Sequence, residues 1–180
     1  MKLNKIVLAL GMGAVLISGA VNAADDAVVK DQGHGTVNFS GSIVDSPCSI
    51  SSNSDGQEVN LGEISSKALE NNGTSTPKNF DIELDNCALT TQKGVTVTFS
   101  GAAGATNKDH LGITGTASGA SIAITDGSGT PIALNTPSAS QTIQNGTNHL
   151  LFSAYLQGDG ASAPTPGDFA SVADFTLAYQ

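Results

Sequence analysis

The sequence contains no tryptophan and no arginine, and aromatic residues make up only 4% of it. With a formal net charge of −9 and no arginine, the chain lacks the clustered cations that displace counterions from nucleic acid, so that class of partner is excluded. Cysteine is scarce as well, with Cys48 and Cys87 standing alone. Two cysteines so far apart are too few for a structural metal site and too widely spaced for the usual redox pair. The histidines, His34, His110 and His149, are scattered through unlike settings, which does not suggest a shared ligand set. No Gly-x-Ser-x-Gly, His-Glu-x-x-His or phosphate-loop pattern is present, so nothing points to an enzyme and no cofactor is expected. Long amphipathic helical patterns, heptads and internal repeats are also missing.

What is present begins with an export signal. Lys2 and Lys5 precede an apolar run from Ile6 to Ala20, and Val21-Asn22-Ala23 fits a small-residue cleavage site. Residues 1–23 therefore read as a signal peptide, with the mature chain starting at Ala24. The run is shorter than the roughly 20 residues a membrane span needs, and cleavage would remove it. In an exported chain two lone cysteines point to a disulfide, whose closed loop is worth about 4 kcal/mol by chain entropy.

The mature part is rich in Gly, Ala, Ser, Thr and Val, with short strand-like runs separated by turn residues. Phe80, Ile82 and Leu84 alternate with Asp81, Glu83 and Asp85, leaving an acidic solvated face. Val95, Val97 and Phe99 alternate with Thr96 and Thr98. Ser121 to Thr125 and Ile132 to Leu134 flank Asp126-Gly127-Ser128-Gly129, a hairpin signal. Gly41 to Ile50, Glu58 to Ile64 and His149 to Gln157 complete the inner set, while Ser65 to Asn72 reads as a loop with at most one turn. The fold class is all-β, an antiparallel sandwich of about seven strands, an immunoglobulin-like number.

Both ends of the mature chain look unfinished. Residues 24–43 form an arm: a polar, acidic start runs without a turn into an alternation placing Gly35, Val37, Phe39, Gly41 and Ile43 on one side and Thr36, Asn38, Ser40 and Ser42 on the other. Residues 44–180 make up the domain. Its last stretch, Gly167 to Gln180, alternates again, with Gly167, Phe169, Ser171, Ala173, Phe175, Leu177 and Tyr179 on the richer apolar face. An apolar final strand with an open edge invites a strand from another molecule.

Four runs together carry a resemblance: G-H-G-T-V-N-F-S-G-S-I-V-D-S-P-C-S-I from Gly33 to Ile50, Leu61-Gly62-Glu63-Ile64, Phe80 to Cys87, and F-T-L-A-Y-Q from Phe175 to Gln180. With the cysteine pair, the penultimate Tyr179 and the glycine at 167, the chain resembles the pilins of chaperone-usher fimbriae. Within them it is most similar to the major subunits of P pili and of mannose-resistant Proteus-like fimbriae. The resemblance implies an incomplete immunoglobulin-like sandwich that lacks its seventh strand and is completed by donor-strand complementation. It implies a periplasmic chaperone, an outer-membrane usher and other pilin subunits as partners, and a place in surface fimbriae that serve adhesion. The donor strand would carry Val37, Phe39, Gly41 and Ile43, with Gly41 over a shallow pocket; the acceptor and chaperone-binding strand would carry Gly167, Phe169, Phe175, Leu177 and Tyr179. A stand-alone secreted adhesin or carbohydrate-binding module of the same sandwich type is the competing reading.

Overall fold

The structure is a computed structural model that describes residues 33–160 and 162–180. The expected signal peptide, residues 1–23, and the start of the arm lie outside the described residues. Two units are distinguished, residues through Ser42 and the domain Ile43–Gln180. In the first, residues 33–42 belong to no strand or helix, and Val37 and Phe39 are 72% and 92% exposed.

The domain is built from short antiparallel strands: β1 (Ser49–Ile50), β2 (Lys78–Cys87), β3 (Gly94–Gly101), β4 (Leu111–Gly112), β5 (Thr114–Gly115), β6 (Ala120–Asp126), β7 (Pro131–Ile132), β8 (Gln141–Thr142), β9 (Gly146–Gly158), β10 (Phe169–Ala170) and β11 (Ala173–Tyr179). The larger sheet runs β1-β2-β9-β6-β4, with β7 also paired to β6; the second runs β11-β3-β8, and β10 pairs with β5.

Side-chain alternation explains most of this. In β2, Ile82 and Leu84 are buried while Asp81, Glu83 and Asp85 face outward. Along β9, Leu150, Phe152, Ala154 and Leu156 turn inward. Val95 and Val97 of β3 are fully buried, their β-branched side chains suiting a pleated surface. Both faces of β6 are covered from Ala120 to Thr125. The β6–β7 hairpin is tied by Asp126, whose carboxylate accepts from the backbone N–H groups of Ser128 and Thr130. The two main sheets share one core, in which Phe99 is set edge-on to Phe152 at 5.1 Å between ring centroids, with half-buried Phe80 packed against both.

Four expectations change. The last stretch is two strands, because the pairing switches from β5 to β3 across Ser171–Val172. Glu58 to Ile64 joins no strand. Of Gly41 to Ile50 only Ser49–Ile50 is paired, to Asp85 and Leu84. Ser66–Asn72 is a 3-10 helix held to the core by the single buried residue Leu69, with a kink at Glu70 and Asn71.

Candidate functional site: an open cleft beside the last strand

Along one edge β11 is paired with β3 in unbroken register, from Ala173 opposite Gly101 to Tyr179 opposite Val95. The chain end closes that ladder: the backbone N–H groups of Lys93 and Gly94 donate to the Gln180 carbonyl, and Gln180 N–H donates to the Gly94 carbonyl at 2.8 Å. Among the described residues no strand pairs with the other edge of β11. Phe175, Leu177 and Tyr179 are half-buried against the core, whereas Asp174, Thr176 and Ala178 are exposed.

Next to that edge lies a cleft of about 600 Å³. Val172 and Phe175 line one side, Ile50, Val59 and Leu61 the other, and Phe80, Phe99 and Ile122 the floor. A second cleft of about 800 Å³ shares Leu61 and Ile122 with it and runs between Gly56–Ile64 and Gly167–Ser171. Apolar side chains that a closed sandwich would cover, among them Leu61, Ile64, Phe80, Phe169 and Phe175, are here only half-buried. The arrangement offers backbone hydrogen bonds along an edge above an apolar trough. That is what an added β-strand requires.

Comparison with known proteins decides what kind of chain this is. The model of the fimbrial protein family matches residues 37–180. The chain belongs to the fimbrial protein family. This fimbrial subunit is 58% identical to the fimbria A protein of Serratia marcescens over 181 residues, covering 100% of both chains. It is 48% identical to the major MR/P fimbria protein of Proteus mirabilis strain HI4320, again over 100% of both. Among solved structures it matches a subunit of a chaperone-usher pilus, in work on the molecular basis of rod uncoiling, with a TM-score of 0.72 and 32% identity, covering 83% of this chain and 97% of that one. The subunit is a major rod component of chaperone-usher fimbriae at the cell surface, non-enzymatic, and it polymerises with other pilin subunits.

Beyond Ile50 of β1, the wall of the fimbrial subunit's cleft opposite β11 is built without strand pairing. Ser51 N–H donates to the Glu83 carbonyl, Glu83 N–H donates to Ser54 Oγ, and Gln57 Nε2 donates to the Asp81 carbonyl. The expected disulfide is present between Cys48 and Cys87, with the Cα atoms 4.1 Å apart, at the end of that wall. Beside it Ala88 N–H donates to the Pro47 carbonyl.

Among the residues expected to act in the site, Gly167 stands where a Cβ would come within 2.5 Å of Thr116 Oγ1 and 2.7 Å of Ala117 N, so β10 can approach only with glycine there. Phe169 lies in β10, and Phe175, Leu177 and Tyr179 lie in β11. Val37, Phe39 and Ile43 are exposed, and nothing lies within 4 Å of the place a Cβ would take at Gly41. Sequence reasoning did not find the cleft floor, because Ile122 and Phe99 carry no local signal beyond that of any core strand.

The histidines are not gathered into a site, and no cluster able to hold a metal ion occurs among the described residues. His149 Nδ1 lies 2.7 Å from Asp81 Oδ2, and that hydrogen bond, together with the charges of Asp81, Glu83 and Asp85, raises its pKa above 6.5. Burial lowers that of His110, whose Nδ1 is 3.2 Å from Ser121 Oγ, against the opposing pull of Asp109 and Asp159.

Proposed function

We propose that this fimbrial subunit polymerises by donor-strand exchange. The reading rests on one observation: the unpaired edge of β11 stands over a row of half-buried apolar side chains. On this reading the domain is an immunoglobulin-like sandwich lacking its seventh strand. Residues 1–23 direct export and are cleaved, and residues 24–43 are the donor arm. A periplasmic chaperone first supplies a strand to the cleft; at the outer-membrane usher the arm of the next subunit replaces it. Donor-strand complementation between chaperones and pilins is an established mode of strand addition.

Val37, Phe39 and Ile43 are the apolar side chains the arm would bury, each worth about 1.5 to 3 kcal/mol. Gly41 sits between the two largest and suits a shallow spot in the trough. Phe169, Phe175, Leu177 and Tyr179 receive them, and Gly167 lets β10 pack closely enough to hold the trough open. Because the arm of one copy serves the cleft of another, the contact is head-to-tail and repeats into an open filament. Exchange of one strand for a better-fitting one is downhill and needs no cofactor.

The test is a pair of variants co-expressed with the chaperone. Phe39→Asp leaves the chaperone complex intact and stops incorporation of that subunit behind another, since only the arm is damaged. Tyr179→Ser loses both steps, since the cleft edge serves both partners. Fibres of normal length from the Phe39→Asp chain would refute the arm assignment.

A further inference from the structure

Every charged residue lining the two clefts is a carboxylate. Asp55, Glu58 and Glu63 stand on the wall side and Asp168 and Asp174 on the strand side, all of them exposed; no lysine or histidine lines either cleft among the described residues. The arm is patterned to match. Between Asp31 and Asp45 it contains no Asp, Glu or Lys, and its outward positions are Thr36, Asn38, Ser40 and Ser42, all able to donate hydrogen bonds. On the donor-strand reading an apolar inner face would meet the trough, and a neutral, donor-bearing outer face would meet a rim of acceptors.

We propose that the carboxylate rim acts as a charge filter on the strand that enters the cleft, admitting the uncharged window of a second copy's arm and rejecting strands with carboxylates at outward positions. This rests on the donor-strand reading. A carboxylate at position 38 or 40 would be brought among like charges, and juxtaposed like charges are a main means of suppressing wrong partners. Hydroxyl and amide donors at the same places gain charge-assisted hydrogen bonds. The filter also sets how far the arm enters, because Asp31 and Asp45 mark the ends of the tolerated window. Screening must weaken it, since the Debye length falls from about 10 Å at 0.1 M salt to about 3 Å at 1 M.

The experiment uses the oxidised chain held as its monomeric complex with the periplasmic chaperone and three fluorescent peptides spanning Gly33 to Val44: the natural one, one with Asn38→Asp and Ser40→Asp, and one with Asn38→Lys and Ser40→Lys. Binding is measured at low and high sodium chloride; the competitor in the cleft is the same for all three, so the affinity ratios stand. At low salt the aspartate peptide is expected to bind about tenfold more weakly than the natural one and the lysine peptide at least as tightly as it, the spread shrinking to about twofold at 1 M salt. A chain with Asp168→Asn and Asp174→Asn should show a reduced spread at low salt. If the three peptides bind equally at both salt concentrations, the filter is overturned while the donor-strand reading stands. If none binds, both fall.

Discussion

Replacing Cys48 and Cys87 together by alanine tests how the cleft wall is held. The bridge joins positions 39 apart, for which chain entropy gives about 4 kcal/mol. That is a large share of the 5 to 15 kcal/mol by which domains are usually stable. The loss should fall unevenly. Within the closed loop β2 is pinned to β9 from Lys78 opposite Ala154 to Leu84 opposite Asn148, so it has its own support. Residues 51–64 belong to no strand and hold on through the few bonds to Asp81 and Glu83. Urea unfolding followed by circular dichroism should show a midpoint lower by about 2 M, taking a slope of about 2 kcal/mol per M. Hydrogen exchange should accelerate first at the amides of Ser51 and Ser54, which are bonded to the carbonyls of Glu83 and Ser51. Binding of the natural arm peptide should fall at urea concentrations where β2 and β9 remain protected. A stability difference below about 1 kcal/mol, or protection lost evenly over β2, β9 and the wall, would refute the reasoning.

Three further outcomes are expected. Gly167→Ala forces a methyl group against the Thr116–Ala117 backbone and should lower stability by about 1 to 3 kcal/mol in a thermal melt; an unchanged midpoint would show that the approach is not tight. Phe152→Ala removes a ring only 2% exposed that touches both Phe80 and Phe99, at a cost of about 3 to 5 kcal/mol, read by urea unfolding. The two histidines have opposite pH signatures. His149, with its folded pKa raised, contributes stability that is complete below 6.5 and is lost as pH rises through the folded value; His110, with its folded pKa lowered, makes the fold less stable as pH drops below 6.5. An NMR titration should place the two on opposite sides of 6.5, and Asp81→Asn should bring His149 back toward it.

Where two-residue alternation is backed by a long partner, the sequence was readable. β2, β3, β9 and the β6–β7 hairpin stand where their patterns put them, and the cysteine pair is joined. The break at Ser171–Val172 was hidden because alternation survives it. Phe169 and Ser171 before it and Phe175, Leu177 and Tyr179 after it are half-buried in one phase, although Ala173 on that face is exposed and the hydrogen-bonding partner changes midway. Glu58 to Ile64 has the composition of a strand but lacks a neighbour to pair with, and pairing is not a local property. At Ser66–Asn72 the sequence allowed one turn but not the full length of the kinked 3-10 segment, because Leu69 alone turns inward, too little for any periodicity. As for the site, β11 and its unpaired edge were visible in a strand pattern at the end of the chain, whereas the floor draws on β2, β3 and β6 together and exists only once the sheets have closed.

The position of the disulfide has a mechanical consequence. Tension drawn through the residues ahead of Cys48 would, without the bridge, load the single bond from Ala88 N–H to the Pro47 carbonyl and then β1, whose two residues face Asp85 and Leu84 and could be peeled away one bond at a time. The covalent link diverts that pull into Cys87, at the end of a ten-residue strand lying along the thirteen residues of β9. Force that would have acted on a two-residue margin instead enters the main sheet, through a strand paired to β9 from Lys78 opposite Ala154 to Leu84 opposite Asn148.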